Sequence, residues 1–193
     1  NPRTFGDLDA AQTVLQTAFM SVMARSGGFA TVDYATLDGS SLLVTDMLMF
    51  VGGGSASTAG GIKVTTLAIL FLAAFAEARG ADEMEAYERR IPSDVLRLAV
   101  SVVLWGATLV ATSTVLLMLL TDDPLDFVLF DAISAFATCG LSTGPTAGAN
   151  APAQYAPAAM FLGRIGTVTL AAALAQSQRR QLFRRPEERP IVG

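Results

Sequence analysis

Two short glycine-centred stretches carry the groups of this chain whose types and spacing could do chemistry. Ser26-Gly27-Gly28-Phe29 sits within ARSGGFAT (24–31), and Thr138-Cys139-Gly140-Leu141 sits within FATCGLST (136–143). A constant offset of 112 residues lays Ser26 on Thr138, Gly28 on Gly140 and Thr31 on Thr143. Extended backbone of this kind can present several carbonyl oxygens to one point, which is what a monovalent cation needs when it sheds its water. Gly28 and Gly140 can adopt conformations closed to other residues, while Phe29 and Leu141 are placed to wedge the loops against neighbouring helices. A turn would explain either stretch alone, because Gly and Ser dominate turns. Repetition in register argues for a shared task. A second pair, Met49-Phe50-Val51-Gly52 and Met160-Phe161-Leu162-Gly163, recurs at an offset of 111 residues.

Other chemistries find no residues to carry them. The chain has no His and one Cys, Cys139, so a Ser/His or Cys/His nucleophile, an intrachain disulfide and an ordinary Cys/His zinc site are all excluded. The run Gly52 to Gly61 followed by Lys63 and Thr65-Thr66 has the look of a phosphate cradle. Its spacing is wrong, since Ile62 separates Gly61 from Lys63 where the motif needs Gly-Lys-Ser/Thr contiguous. The chain reads as a non-enzyme without a cofactor, and nothing in it points to nucleic acid.

The elements that position the loops belong to a membrane protein. Of 193 residues 52% are hydrophobic and 16% charged, with a mean hydropathy of +0.48. Val95 to Leu120 is 26 residues with Arg97 as its only charge, where about 20 apolar residues suffice to span. Arg97 is one turn from the start of that segment and can reach the headgroups. Arg79, Arg89, Arg90, Arg97 and the arginines from Arg179 to Arg189 make up nine of the thirteen cations, so these segments and the C-terminus are expected to be cytoplasmic. Asp7, Asp9, Asp33, Asp38, Asp46, Asp122, Asp123, Asp126 and Asp131 gather at the other side. There they could form an acidic, cation-attracting mouth, or simply cap helices and solvate loops.

Between these sides the segment 41–78 is apolar but broken by Gly52-Gly53-Gly54-Ser55-Ala56-Ser57-Thr58-Ala59-Gly60-Gly61. Its five glycines cost about 1 kcal/mol each relative to Ala in a helix. Two half-helices are therefore expected, Ser41 to Val51 and Ile62 to Ala78, joined by backbone that must line a cavity or be buried in protein. Another crossing is expected over Tyr155 to Gln176. Leu8 to Ala24, capped by Asp7, and the run to Ala137, with Asp123 as cap and Pro124 in the first turn, are too short or too polar to span. Each should enter from outside and stop midway, with the negative end of its dipole near a cation. Lys63 and Arg164 lie at membrane depth, where an unpaired cation costs roughly 2.5 to 3.5 kcal/mol. Snorkelling would suit Lys63 better than Arg164.

The strings ARSGGFATVD, MFVGGGSASTAGGIK, ERRIP, SAFATCGLSTG, MFLGRIG and PEERPIVG resemble the last two repeats of the Trk/Ktr/HKT superfamily of potassium transporters, most nearly the Ktr-type membrane subunit, over almost the whole chain. The resemblance implies an all-α integral membrane fold of four repeated units, each an outer helix, re-entrant pore helix, filter loop and inner helix around a pseudo-four-fold cation pore. Residues 1–92 would then be the third unit from its pore helix onward, with a cytoplasmic loop. Residues 93–193 would be the complete fourth unit and a cytoplasmic tail. It implies K+ uptake across the plasma membrane, with Na+ as a coupling or competing ion. The filter would be formed by carbonyls of Ser26, Gly27, Gly28, Phe29, Thr138, Cys139, Gly140 and Leu141. The gate would comprise Gly52, Gly53, Gly54, Ser55, Ser57, Thr58, Gly60, Gly61, Lys63 and Arg164. Partners implied are an N-terminal half of the same transporter, a second copy in a homodimer and a cytoplasmic nucleotide-binding regulatory ring. The chain opens on Asn1 without Met and is expected to continue upstream. Gly27 departs from the family, which commonly has Ala there, and this should loosen packing behind the filter. A contrary reading makes the glycines helix-packing surfaces in a non-conducting scaffold subunit. It requires an unbroken helix through 52–61.

Overall fold

A computed structural model describes residues 8–54, 59–80, 85–86, 89–146 and 155–165. The expectations for Ser55, Ser57, Thr58, Asp7, the second half of the crossing over 155–176 and the basic tail lie outside these residues.

The first helix, α1 (Ala10–Met23), starts after Asp9, whose backbone N–H donates to Gln12 Oε1 at 3.4 Å. The start is therefore later than the expected Leu8, because the Asp9 and Gln12 pair satisfies the first turn. A single 3-10 turn at Tyr34–Thr36 leads into α2 (Gly39–Phe50). Residues 51–63 are not helical where described, and α3 (Val64–Ala78) follows. The two half-helices and the break between them match the sequence reading to within two residues. An unbroken helix, which the scaffold reading required, is absent.

Among the described residues one short hairpin is not helical. Glu85–Ala86 (β1) and Arg89–Arg90 (β2) pair antiparallel in the charged loop. Two residues per strand do not alter the helical class.

Next comes α4 (Ser93–Leu120), 28 residues long. At 1.5 Å per residue it spans about 42 Å, more than the hydrocarbon core requires. Among the described residues it alone is both long and apolar enough to cross, with a mean hydropathy of 2.1. The hydroxyls of Thr108, Thr112 and Thr114 donate to carbonyls four residues back, so these polar groups need no water.

The core is organised around α5 (Leu125–Ala137), which lies between α2 and α4. Pro124 takes the cap position, one residue later than expected for Asp123, because its extended ψ of 148° precedes the helical turn. Every residue of α5 from Phe130 to Ala137 is buried. Phe130 lies against Tyr34 and Phe136 against Phe50, with ring centroids 5.3 and 6.1 Å apart. Each such ring pair contributes about 0.5 to 1.5 kcal/mol through its contact geometry. Residues 155–165 form a further helix, α6. Tyr155 Oη in α6 donates to Ser113 Oγ in α4 at 2.7 Å.

Candidate functional site

The two glycine loops hang from the C-terminal ends of α1 and α5, and they share an unusual backbone. Among the described residues only Ser26 (φ 76°) and Thr138 (φ 55°) are non-glycines with positive φ. These are the two positions that the 112-residue offset superimposes. Gly28 and Gly140, superimposed likewise, have φ of 71° and 86°. The repeat in letters is thus a repeat in conformation, and a left-handed backbone is disfavoured enough for Ser and Thr to need a reason.

The loops also touch. Ser26 Oγ donates to the Thr138 carbonyl at 3.3 Å, and Cys139 Sγ donates to the Ala24 carbonyl at 3.1 Å. A Cβ on Gly28 would stand 2.5 Å from the Cys139 carbonyl oxygen, so only glycine fits there. The Thr138 and Cys139 carbonyls are therefore turned onto the neighbouring loop. Leu141 is buried and does wedge its loop, whereas Phe29 is 72% exposed. Gly27 does not loosen its surroundings as expected. A Cβ there would meet Met23 Sδ at 2.5 Å, so the glycine lets Met23 close over it.

The glycine-rich segment docks beneath the second loop. Gly60 N–H donates to Thr138 Oγ1 at 3.0 Å, and Cβ atoms on Gly60 and Gly61 would press on Thr138 and Ala137. Across the base of the segment, Gly52 N–H donates to the Ile62 carbonyl at 2.9 Å and Val64 N–H to the Gly53 carbonyl at 3.3 Å. Gly54 is exposed. Lys63 does not snorkel away. It precedes α3, and its Nζ donates to the Ala59 carbonyl at 2.6 Å. Arg164 lies within electrostatic reach of Lys63.

The glycines that close the second repeat, Gly52 and Gly163, make close backbone approaches. A Cβ on Gly52 would lie 2.4 Å from the Gly60 carbonyl oxygen, and one on Gly163 2.1 Å from that of Phe136. The α6 helix thus rests backbone to backbone on the end of α5.

Sequence reasoning missed the role of Asp131, which it placed among the acidic groups of the mouth. It is 1% exposed. Its carboxylate accepts from Ser142 Oγ (2.8 Å), Thr143 N–H (2.8 Å) and Oγ1 (3.2 Å), and Thr146 N–H (2.9 Å) and Oγ1 (2.5 Å). It clamps the return of the second loop. The available signal was an Asp inside an otherwise apolar helix, 11 to 15 residues before a Ser/Thr cluster. Asp46 is also buried, at 4% exposure, and its Oδ1 has no hydrogen-bond partner among the described residues. Asp38 takes the helix-capping alternative: it stands at the N-cap of α2, where hydrogen bonds from Ser40 and Ser41 hold its carboxyl down at about 2.

Comparison with known proteins gives this geometry a setting. Residues 1–181 match the family model described as TrkH, cation transport protein. The chain is similar to the Ktr system potassium uptake protein B of Vibrio alginolyticus, 36% identical over 100% of this chain and 42% of that protein. It is similar to the Ktr system potassium uptake protein D of Bacillus subtilis, 36% identical over 91% of the chain and 39% of the relative. It also resembles the potassium/sodium uptake protein NtpJ of Enterococcus hirae, 30% identical over 94% and 42%. The chain spans about two fifths of the length of these relatives. A match running through both loops, the broken helix and the long apolar helix makes this chain a member of the TrkH cation transport protein family, and with it a membrane protein.

Proposed function

We propose that this chain is half of a K+ uptake pathway in the plasma membrane, and that its two glycine loops supply half of a four-fold selectivity filter. The observation that carries this reading is conformational: Ser26 and Thr138, and Gly28 and Gly140, share left-handed backbone at one offset, in loops that meet. Carbonyls of 26–29 and 138–141 would replace the hydration shell of K+. Na+ would be a coupling or competing ion. The relatives' names, which specify potassium or potassium and sodium uptake, support that choice of ion. The segment 52–61, tied beneath the second loop and flanked by Lys63 and Arg164, would be the gate, where fixed positive charge opposes a cation.

The rest of the pore lies upstream. Residues 1–92 are the later part of the third unit and 93–193 the fourth unit with its tail. In the fourth unit Tyr155 bonds to the outer helix α4. Its counterpart at the 111-residue offset, Val44, is 57% exposed beside a cavity of about 310 Å³ between α1 and α2. That vacancy supports an outer helix contributed by an N-terminal half, which the greater length of the relatives also supports. The C-terminus is placed in the cytoplasm, a homodimer of the full subunit forms the unit in the membrane, and a nucleotide-binding ring regulates it from below.

The test is K+ and Na+ flux into liposomes bearing the full-length transporter, with and without Gly140→Ser. K+-selective flux that loses its preference in the variant is expected. Selective flux with an unchanged ion ratio removes Gly140 from the filter, and no flux from any form overturns the pathway reading.

A further inference from the structure

Thr138 is an odd choice for its backbone. It ends α5 in a left-handed conformation, with Thr138 N–H donating to the Ala135 carbonyl and Cys139 N–H to that of Ser134. Helices that end this way favour Gly, or Asn, at the left-handed position, and a β-branched residue with positive φ is a backbone outlier. Strain kept at such a site calls for something that only the side chain provides. Here the side chain accepts the Gly60 N–H at 3.0 Å, while the carbonyl of the same residue accepts from Ser26 Oγ at 3.3 Å. Three segments separated by 78 and 112 residues in sequence meet on one residue. Gly60 is buried, and a Cβ on it would stand 2.8 Å from Thr138 Oγ1. Its N–H thus has the Thr138 hydroxyl as its acceptor in a place with little room for water.

We propose that the Thr138 hydroxyl is the positioning group that couples the glycine gate to the filter. This rests on the reading of 26–29 and 138–141 as filter and 52–61 as gate. Docked, the gate loop holds Oγ1 and offsets the strain of the left-handed backbone. When the loop withdraws, a buried N–H loses its acceptor and the Thr138 carbonyl, shared with Ser26, is released to shift. The tie therefore biases the gate towards its docked, non-conducting position and makes filter geometry sensitive to gate state. Ser26 extends the coupling to the other loop.

Three substitutions in the full-length transporter separate the roles. Thr138→Val keeps shape and strain but removes the acceptor, Thr138→Gly removes both strain and acceptor, and Thr138→Ser keeps the acceptor. The first two should raise K+ flux through the resting transporter roughly fivefold, the population shift that follows loss of one hydrogen bond of ordinary strength. Because the released Thr138 carbonyl belongs to the filter, the K+ over Na+ ratio should fall in both as resting flux rises, and the Ser variant should restore wild-type gating and ratio. Hydrogen exchange at the Gly60 amide, read by mass spectrometry over the peptide containing it, should accelerate by a similar factor in Val and Gly but not in Ser. Unchanged resting flux in Thr138→Val, or a lost ion ratio with resting flux unaltered, overturns the coupling. If no form of the transporter, wild type included, passes K+ selectively, the filter reading fails. Gly60 exchange then decides the tie alone: unaltered exchange in Thr138→Val overturns it.

Discussion

The two glycine loops have the same backbone and opposite surroundings. The loop after α5 is held by a helix buried from Phe130 to Ala137 and by an aspartate that accepts from Ser142, Thr143 and Thr146. The loop after α1 hangs from a helix with no residue buried by this chain, in the region that the proposed N-terminal half would cover. At the position that superimposes on Asp131 it has Phe19. Repetition has preserved the conformation that the loops must adopt and left the means of holding it free to diverge. Left-handed backbone at two fixed positions is a local property, set by glycine and by a helix end. Clamping is a tertiary property that each copy solves with the residues at hand.

The comparison can be broken most severely where α6 meets α5. Gly163→Ala puts a Cβ into the Phe136 backbone, which cannot move as a side chain would. A cost of about 3 kcal/mol or more is expected, seen as loss of monodisperse full-length protein on size exclusion. The clamp comes next. Asp131→Ala strands the Thr143 N–H in a buried site, with an expected loss of about 3 kcal/mol. Phe19→Ala should lower thermal stability in detergent far less, and equal shifts for the two would abolish the asymmetry.

The glycines sharpen it further. Gly28→Ala meets the Cys139 carbonyl as well as a positive φ, whereas Gly140→Ala has nothing nearer than Gly28 Cα at 3.8 Å. Both should lose about 1 to 2 kcal/mol to backbone strain, with Gly28→Ala losing more, and thermal melts of the pair read the difference directly. The smallest effect belongs to Gly27→Ala. Its Cβ displaces only Met23 Sδ, the end of a flexible side chain, although Met23 Cα at 3.1 Å limits the slack. A change below about 1 kcal/mol is expected, and a melting shift as large as that of Gly28→Ala would show that Met23 cannot yield.

What could be read from the sequence followed from periodicity and repetition. The apolar run at α4, the glycine break between α2 and α3, and the short helices ahead of each loop rest on local composition, and the chain folds as that composition demands. Contacts between copies were out of reach. Ser26 with Thr138 and Gly60 with Thr138 are separated by 112 and 78 residues, and no local pattern announces which hydroxyl will meet which backbone. Asp131 and Asp46 were misplaced for a different reason. Composition offers an Asp the role of a cap or a solvated charge, and only packing reveals that Asp131 is held by the returning loop and that Asp46 is buried within α2. The hairpin at 85–90 is too short to leave a periodic signature.

The burial of α5 has a consequence for how the protein is made. Its cover comes from α2 and α4, which precede it in the chain, and from α6, which follows. A ribosome delivers these in order, so α5 emerges before the backbone of Gly163 can close over Phe136. The second loop is therefore completed late in biogenesis, after the long helix α4 is already in the bilayer.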